Sequence, residues 1–432
     1  MQEIQKLLDS SFDQINNFID QELNIDDTPI SKMSNTQSEF KLPKVDQLNI
    51  IGQAEFISKI IKEVKPLIKS KMKDEVQIKN QSQHQQQSLI NQQQSQQQFK
   101  QQNQIESPSQ FNLKPFTYQI IQQNSIKQDK QCYAVAFNKN SSIVATGCDN
   151  QIKIYEFKQG ILKLNQILNQ HKTDVHILKF MKQSNQLISG DQGSILIWSY
   201  NNNSWICSQT IQAHNNWIRC LIMNNNEDLF ISSSDDYLIK FWVKQNDGWI
   251  SQQTITDHSN SVYQLSLNEQ QNQIISCGRD SQILIIEQIE LNKNWIVKQK
   301  IKVDCYGYRL CFINDNLFTF QPYQGNLMYV YEMNRVSKQF TKLKDITLNQ
   351  SNSDDYGGLF PQQFIKQKQL LVNKHYQNIN LIRFTQNVKF KVEQSIQFDT
   401  YSIYGQLSDD AEYLITWDKQ SKEIQIRRFT EK

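Results

Sequence analysis

The sequence predicts an all-β protein in which seven four-stranded sheets close into a ring, preceded by a helical, Gln-rich and largely disordered N-terminal extension. Two observations support the ring. Histidines 171, 214 and 258 recur at spacings of 43 and 44 residues, and each interval contains four short segments of alternating polar and apolar residues, the period of a half-buried strand. The extension is indicated by composition, because 14 of the 24 residues at 81–104 are glutamine.

The overall composition excludes several classes of protein. The chain has 46 Lys+Arg against 43 Asp+Glu, a formal charge of +3. This near balance gives no electrostatic reason to expect nucleic acid as the main partner. Hydrophobic residues make up 38%, below the roughly 45–50% of globular domains even with glycine added. Part of the chain is therefore expected to be non-globular. The sequence has no apolar run long enough for a membrane span and no signal-peptide pattern, which predicts a cytoplasmic or nuclear protein.

Cysteine and histidine are too scattered to indicate a metal site or a disulfide framework. The seven cysteines form no CxxC motif, and the six histidines form no HExxH motif. We expect reduced cysteines inside strands, no metal and no cofactor.

The extension divides into two parts. Apolar residues recur every three to four positions in 1–24 and again in 54–79, which predicts amphipathic helices joined by a polar linker within 1–80. Such short helices need a partner, so we expect self-association, for example as a coiled coil, or a helical partner. The lysine surplus at 59–79 indicates a solvated face or, alternatively, contact with a membrane surface or polyanion. Residues 81–114 are a low-complexity, disordered linker.

Each repeat places the same polar residue types at fixed offsets from its histidine. In 214–242 these are a Ser on the second strand, an Asp in the next turn and a Trp on the third strand, which can form one hydrogen-bonded chain between strands. In the repeat that starts at His171, Gln192 aligns with the Asp. The predicted structural residues are His171, Trp198, His214, Ser232, Asp236, Trp242, His258, Ser276 and Asp280.

The same residue types also suggest a Ser-His-Asp catalytic triad. A nucleophile would occur once, whereas this set recurs in repeat after repeat. The pattern therefore favours a structural role.

The repeats resemble the WD40 β-propeller family over roughly 115–432. Four units starting near 132, 171, 214 and 258 carry the signature, and three weaker units at 304–352, 353–399 and 400–432 complete a seven-bladed propeller. The last unit ends after its third strand. We therefore predict that residues 116–121 supply the missing strand and pair with Glu423–Phe429, since an open edge would expose unpaired backbone groups.

The aromatic residue at the start of the fourth strand is a finer signal. Trp205 in NSWICSQTI, Trp249 and Trp295 resemble the WD40 subunit of the cytosolic iron–sulfur protein assembly machinery. This resemblance implies a subunit that brings client apoproteins to an assembly complex without itself holding a cluster. Alternatively, these residues simply cover the blade edges.

The sequence contains no P-loop, GxSxG, kinase or Rossmann motif. We therefore predict a non-catalytic protein-protein interaction scaffold. The alternatives are the iron–sulfur targeting subunit, an RNA- or chromatin-associated adaptor, and a propeller enzyme.

The repeat register also predicts the binding face. Residues three and five positions after each histidine, and the residue before each turn aspartate, should surround the channel mouth, and they include the types that dominate interface energetics. The predicted protein-binding residues are Tyr133, Asp174, His176, Asp191, Trp217, Arg219, Asp235, Tyr263, Arg279 and Arg309.

Glycine is scarce for a fold with so many turns, at 12 in the chain. We expect Asn and Asp to occupy the left-handed turn positions instead.

Overall fold

The computed structural model of the chain describes residues 114–246, 248–348, 355, 359–385 and 388–431. The helices predicted within 1–80, and the Gln-rich linker apart from its last residue, lie outside the described residues. In the part of the chain that is described, no helix is sufficiently long and apolar to cross a bilayer.

Residues 116–431 form a seven-bladed β-propeller of antiparallel sheets, which confirms the predicted fold class. Blade 1 contains β3 (Cys132–Phe137), β4 (Ile143–Cys148), β5 (Gln151–Lys158) and β6 (Ile161–Leu168). Blade 2 contains β7 (Ile177–Phe180), β8 (Gln186–Gly190), β9 (Ser194–Asn201) and β10 (Ser204–Gln212). Blade 3 contains β11 (Ile218–Met223), β12 (Leu229–Ser234), β13 (Ile239–Gln245) and β14 (Gly248–Ile255). Blade 4 contains β15 (Val262–Leu267), β16 (Gln273–Gly278), β17 (Gln282–Gln288) and β18 (Trp295–Lys302).

The three blades with weak signatures have the same architecture. Blade 5 contains β19 (Gly307–Asn314), β20 (Leu317–Pro322), β21 (Leu327–Met333) and β22 (Phe340–Thr347). Blade 6 contains β23 (Gln363–Ile365), β24 (Leu370–His375), β25 (Asn378–Thr385) and β26 (Lys389–Gln397). Blade 7 contains β27 (Ile403–Leu407), β28 (Tyr413–Asp418) and β29 (Glu423–Glu431), completed by β1 (Phe116–Ile120) and β2 (Ile126–Lys127).

The ring closes through the N-terminal strand that the sequence predicts. β1 pairs antiparallel with β29, with Phe116 opposite Glu431 and Ile120 opposite Arg427. β2 then continues along the same strand, because Ile126 lies opposite Ile424. The Tyr118 hydroxyl also donates a hydrogen bond to the Ala411 carbonyl at 2.6 Å. Both ends of the described chain therefore contribute to one sheet.

Neighbouring blades share apolar cores between their sheet faces. Between blades 1 and 2, for example, Ile152, Leu168, Leu187, Trp198 and Trp205 pack in one buried cluster. The burial of alternating residues on both faces of each sheet explains why the strand pattern was readable even where the polar signature is absent.

Glutamines on the outer strands connect most blades to the next one. Gln209 on β10 donates from Nε2 to the Trp249 carbonyl at 2.9 Å, and its Oε1 accepts from the Trp249 N–H at 2.8 Å. In the described residues five of the seven blade junctions carry this paired bond. The glutamine and aromatic pairs are Gln166 with Trp205, Gln209 with Trp249, Gln253 with Trp295, Gln299 with Phe340, and Gln394 with Tyr118.

A β-bulge aims each of these glutamines. The outer-strand register shifts immediately before all five, as between Cys207 and Gln209. A bulge turns the following side chain out of its regular direction, here toward the next blade. At the junction of blades 5 and 6, Lys344 follows the bulge instead and donates to the Val388 carbonyl.

One disulfide contradicts the expectation that all cysteines are reduced. Cys132 and Cys148 form a disulfide with Cα atoms 4.0 Å apart. The two residues lie directly opposite each other on β3 and β4, a proximity set by strand register that their sequence separation of 16 does not reveal. The other five cysteines are free.

The prediction that Asn and Asp occupy the left-handed turn positions is largely wrong. Sixteen described non-glycine residues have positive φ, and only Asp149, Asn202 and Asn203 are of those types. Gln, Lys, Ser, Tyr, Glu, Ala and even Val388 occupy the others. A left-handed residue costs about 1–2 kcal/mol, which the flanking strand pairs offset.

We expect ring closure to depend on β1. A chain lacking residues 1–112 should fold with the wild-type melting temperature, whereas a chain lacking residues 1–124 should melt earlier or aggregate, because β29 becomes an open edge. Thermal melts with size-exclusion chromatography measure both. Identical behaviour of the two truncations would show that the β1–β29 pairing contributes nothing to stability.

The outer glutamines should contribute measurably to stability. We expect Gln209→Ala to lower the free energy of unfolding by about 1–3 kcal/mol, since two hydrogen bonds to Trp249 are lost. Gln212→Ala is the matched control, because Gln212 lies on the same strand and its side chain bonds only the exposed Ser194 hydroxyl. Urea denaturation of both variants measures the difference, and equal midpoints would contradict the proposed contribution.

Candidate functional site

Three blades contain the hydrogen-bonded chain expected from the repeats. In blade 3 the Trp242 Nε1–H donates to Ser232 Oγ at 2.9 Å, Ser232 lies 2.7 Å from His214 Nε2, and His214 Nδ1 lies 2.9 Å from Asp236. Blade 2 repeats the chain through Trp198, Ser189, His171 and Asp191 at 2.6–2.9 Å. Blade 4 has His258 with Ser276 at 2.8 Å and Asp280 at 2.9 Å, and Ile286 stands at the Trp position.

The hydrogen-bonding capacities of Asp236 and Ser232 determine which nitrogen of His214 carries the proton. A carboxylate only accepts, so His214 carries its proton on Nδ1, and the Ser232 hydroxyl donates to Nε2. Burial, reinforced by Lys240, lowers the pKa of His214 against the opposing effect of Asp236. Burial alone would raise the pKa of Asp236, but hydrogen bonds from His214 and from backbone N–H groups lower it to about 2. A neutral histidine beside an ionised aspartate results.

These serines are not placed to act as nucleophiles. Ser189, Ser232 and Ser276 have no exposed surface, so a substrate carbonyl cannot reach their hydroxyls. In blades 2 and 3 each hydroxyl also accepts from a buried indole. The chains link the second and third strands of a blade to the turn before its first strand.

The structure corrects the assignment of Asp191. The sequence alignment placed Gln192 at the turn position and Asp191 on the binding face, whereas Asp191 is the partner of His171 and is 3% exposed. The turn in blade 2 is one residue shorter than in blade 3, since Ser189 and Trp198 are 9 residues apart whereas Ser232 and Trp242 are 10 apart. Within this shorter turn, Asp191 follows its histidine by 20 residues, whereas Asp236 follows His214 by 22. The residue offset alone could not reveal this difference.

A β-bulge at the start of the inner strands presents the candidate binding residues. The register shifts around Tyr133, Arg219, Tyr263 and Tyr308, each the second residue of its strand. His176 immediately precedes β7, and Tyr404 is the second residue of β27. We call this end of the inner strands, with the turns beside it, the rim.

Arg309 is not a rim residue, contrary to the sequence prediction. The bulge in β19 places Tyr308 on the rim and turns Arg309 inward, where it is fully buried. Its guanidinium pairs with Asp355 and donates to the Phe360 carbonyl at 2.7 Å. Lys374 also lies 2.5 Å from Asp355. Two cations thus surround one buried carboxylate in the connection between blades 5 and 6.

Aromatic side chains form a continuous arc along the rim from blade 7 to blade 3. The ring centroids of Tyr404 and Tyr133 are 5.3 Å apart, those of Tyr133 and His176 are 4.7 Å apart, and His176 stacks on Trp217 at 4.1 Å. The repeat rule identified three of the four; Tyr404 was missed because blade 7 lacks the histidine that sets the register.

A second aromatic cluster occupies the rim at blades 4 and 5. Tyr263 lies 4.6 Å from Tyr308, and Tyr306 stacks on Tyr323 at 4.8 Å. Tyr263 is 8% exposed, so it supports the cluster more than it presents a surface. The repeat rule selected only Tyr263 of these four.

Charged residues lie beside both aromatic clusters. Arg219 forms a two-pronged ion pair with Asp235, with Nε 2.9 Å from Oδ1. Arg279 is exposed, and Asp174 in the turn before β7 is partly exposed. Within the described ranges no group of three or more His, Cys, Asp or Glu residues could hold a metal ion.

The outer-strand tryptophans have a structural explanation. Trp205, Trp249 and Trp295 are buried and receive the paired hydrogen bonds from the preceding blade's glutamine. The sequence contains a signal for these contacts that the repeat rule did not use. Each of the three tryptophans is followed four residues later by a glutamine, as in WICSQ and WISQQ.

Comparison with known families agrees with the four readable blades. Residues 122–156, 162–199, 205–243 and 249–287 match the family described as WD domain, G-beta repeat. The chain therefore contains WD40 repeats in a seven-bladed propeller. No curated protein matches the chain.

The buried set of hydrogen bonds from Trp242 to Asp236 in blade 3 should contribute to the stability of the protein. We expect Trp242→Ala to cost about 3–5 kcal/mol, as for other buried aromatic deletions. Asp236→Ala should cost less, although it leaves His214 and backbone N–H groups unsatisfied. Thermal and urea melts measure both variants. If both variants melt as the wild type does, these hydrogen bonds do not stabilise the protein.

Proposed function

We propose that this chain is a non-catalytic protein-protein interaction scaffold that binds its partners at the propeller rim. The aromatic arc from Tyr404 to Trp217, flanked by Arg219 and Arg279, is the observation that carries the proposal. Trp, Tyr and Arg supply most of the binding energy in protein interfaces, and four successive blades bring them to one end of the inner strands.

Rigid support favours a binding role for this rim. The bulges that present Tyr133 and Arg219 belong to inner strands hydrogen-bonded on one side within their blades, and His176 is packed between Tyr133 and Trp217. Side chains held in place before binding lose little conformational entropy on association.

The proposal of a scaffold rather than an enzyme has a chemical basis. The only recurring Ser-His-Asp sets in the described chain have their serine hydroxyls buried and already bonded. Burial raises the pKa of the Cys220 thiol to about 11, and also raises that of Cys277, so neither is activated as a nucleophile.

Partner identity distinguishes the remaining roles. A targeting subunit for iron–sulfur protein assembly would capture assembly factors and apoproteins, and an RNA- or chromatin-associated adaptor would capture nucleic-acid-binding proteins. The proposed helices within 1–80 would add self-association or a helical partner to the rim's own interactions.

The test is affinity capture with a rim variant. We expect the full chain carrying Trp217→Ala and Arg279→Ala to keep its melting temperature within a few degrees and to lose its main protein partners. One interface hot spot is worth at least about 2 kcal/mol. Quantitative mass spectrometry of the captured proteins measures the loss.

The matched control is Ile206→Ala with Ile250→Ala. Both side chains are exposed on the outer strands β10 and β14, and this variant should keep the partners. If the rim variant captures the same proteins as the wild type, partner binding at the rim is excluded.

A further inference from the structure

We propose that the part of the rim formed by Tyr133, Asp174, His176 and Trp217 binds an arginine side chain of a partner protein. We call these four residues the arginine corner. The inference rests on the proposed scaffold function and adds the chemistry that the partner must present.

The corner contains a carboxylate without a cation. Asp174 is partly exposed, and in the described chain no Lys, Arg or His lies within ion-pair distance of it. Burial and the neighbouring Asp149 carboxylate both raise the pKa of Asp174, and a hydrogen bond from Tyr133 only partly opposes them. The nearby Asp149 has Lys130 3.4 Å away. A bound cation would therefore relieve the repulsion between the two carboxylates.

Blade 3 also has an acid on the rim, at a different position, and there the cation is supplied by the chain itself. There the rim carboxylate Asp235 is held by both prongs of Arg219. Asp174 and Trp217 occupy equivalent positions three residues after His171 and His214, and His176 is equivalent to Arg219. Blade 2 thus has the acid on the rim but a histidine where blade 3 has its arginine.

His176 contributes an unpartnered buried nitrogen to the corner and no positive charge. Its side chain is buried between Tyr133 and Trp217, only 7% exposed, and its Nδ1 atom has no hydrogen-bond partner. Burial, reinforced by Arg219, lowers the pKa of His176 to about 3. The ring is therefore neutral near pH 7 and adds no positive charge to the corner.

The aromatic surfaces favour guanidinium over ammonium. Tyr133 and Trp217 are both partly exposed and flank the histidine, and a planar guanidinium stacks on such rings while donating to a carboxylate in two-pronged geometry. An ammonium ion is compact and more strongly hydrated, and it would use only one of these contacts at a time.

The experiment uses the full chain and three pentapeptides of the form acetyl-Gly-Gly-X-Gly-Gly-amide, in which X is arginine, lysine or citrulline. Citrulline keeps the shape of arginine and removes its charge. Saturation-transfer NMR or calorimetry at low ionic strength should show the arginine peptide binding at least 10-fold more tightly than the citrulline peptide and more tightly than the lysine peptide.

Asp174→Asn should reduce arginine-peptide binding to the citrulline level without changing the melting temperature. Asp345→Asn is the control for net charge, since Asp345 is an exposed acid on β22 that is paired with Lys342 at 2.7 Å. This variant should bind the arginine peptide as the wild type does. Equal binding of arginine and citrulline peptides, equal binding of arginine and lysine peptides, or full binding by Asp174→Asn would overturn the assignment.

The outcomes separate this inference from the scaffold proposal. If the Trp217→Ala and Arg279→Ala chain loses its partners while arginine and citrulline peptides bind equally, only the arginine corner is wrong. If that chain keeps all its partners, the rim is not the docking surface and the scaffold proposal fails whatever the peptides do.

Discussion

The antiparallel pairing of β1 with β29 is the interaction on which the rest of the propeller depends. Every other blade completes its four strands from consecutive residues, whereas blade 7 needs a strand from the opposite end of the described chain. Without this pairing, β29 would be a free edge, and the apolar cluster that contains Ile403 and Leu414 would lose the cover that Phe116 and Tyr118 provide. A closed ring gives each blade two neighbours, so every sheet face is buried and the rim stays in one geometry.

Two sets of polar contacts then hold the blades in register at different radii. Toward the inside, the Trp-Ser-His-Asp chains tie the strands of one blade to the turn that enters it. At the outer edge, glutamines bond the backbone of the next blade's aromatic residue. Apolar burial is non-directional, and these directional bonds specify which strand faces which. Among the described residues, blades 1 and 5 to 7 lack the inner hydrogen-bonded sets. The buried Asp355 with Arg309 and Lys374 supplies a polar anchor between blades 5 and 6.

β-Bulges orient both the side chains that join neighbouring blades and the side chains on the rim. On the outer strands a bulge turns a glutamine toward the neighbouring blade, and on the inner strands it turns a second residue toward the rim. Because a bulge adds one residue to one strand only, it changes the direction of a side chain without disturbing the partner strand. The rim can therefore vary from tyrosine to arginine among blades while the sheets beneath it stay the same.

The sequence by itself determined the blade count, the closing strand and the residues of the hydrogen-bonded sets in blades 3 and 4, because these depend on spacing along the chain and on the alternation that burial imposes. The tertiary structure alone decided which residues share a surface. A shortened turn moved Asp191 from the rim to His171, a bulge buried Arg309 and exposed Tyr308 in its place, and strand register joined Cys132 to Cys148. The glutamine contacts join residues about 40 positions apart. The physical reason is that a one-residue shift in a strand reverses the direction of a side chain, and the sequence pattern does not show where such shifts occur.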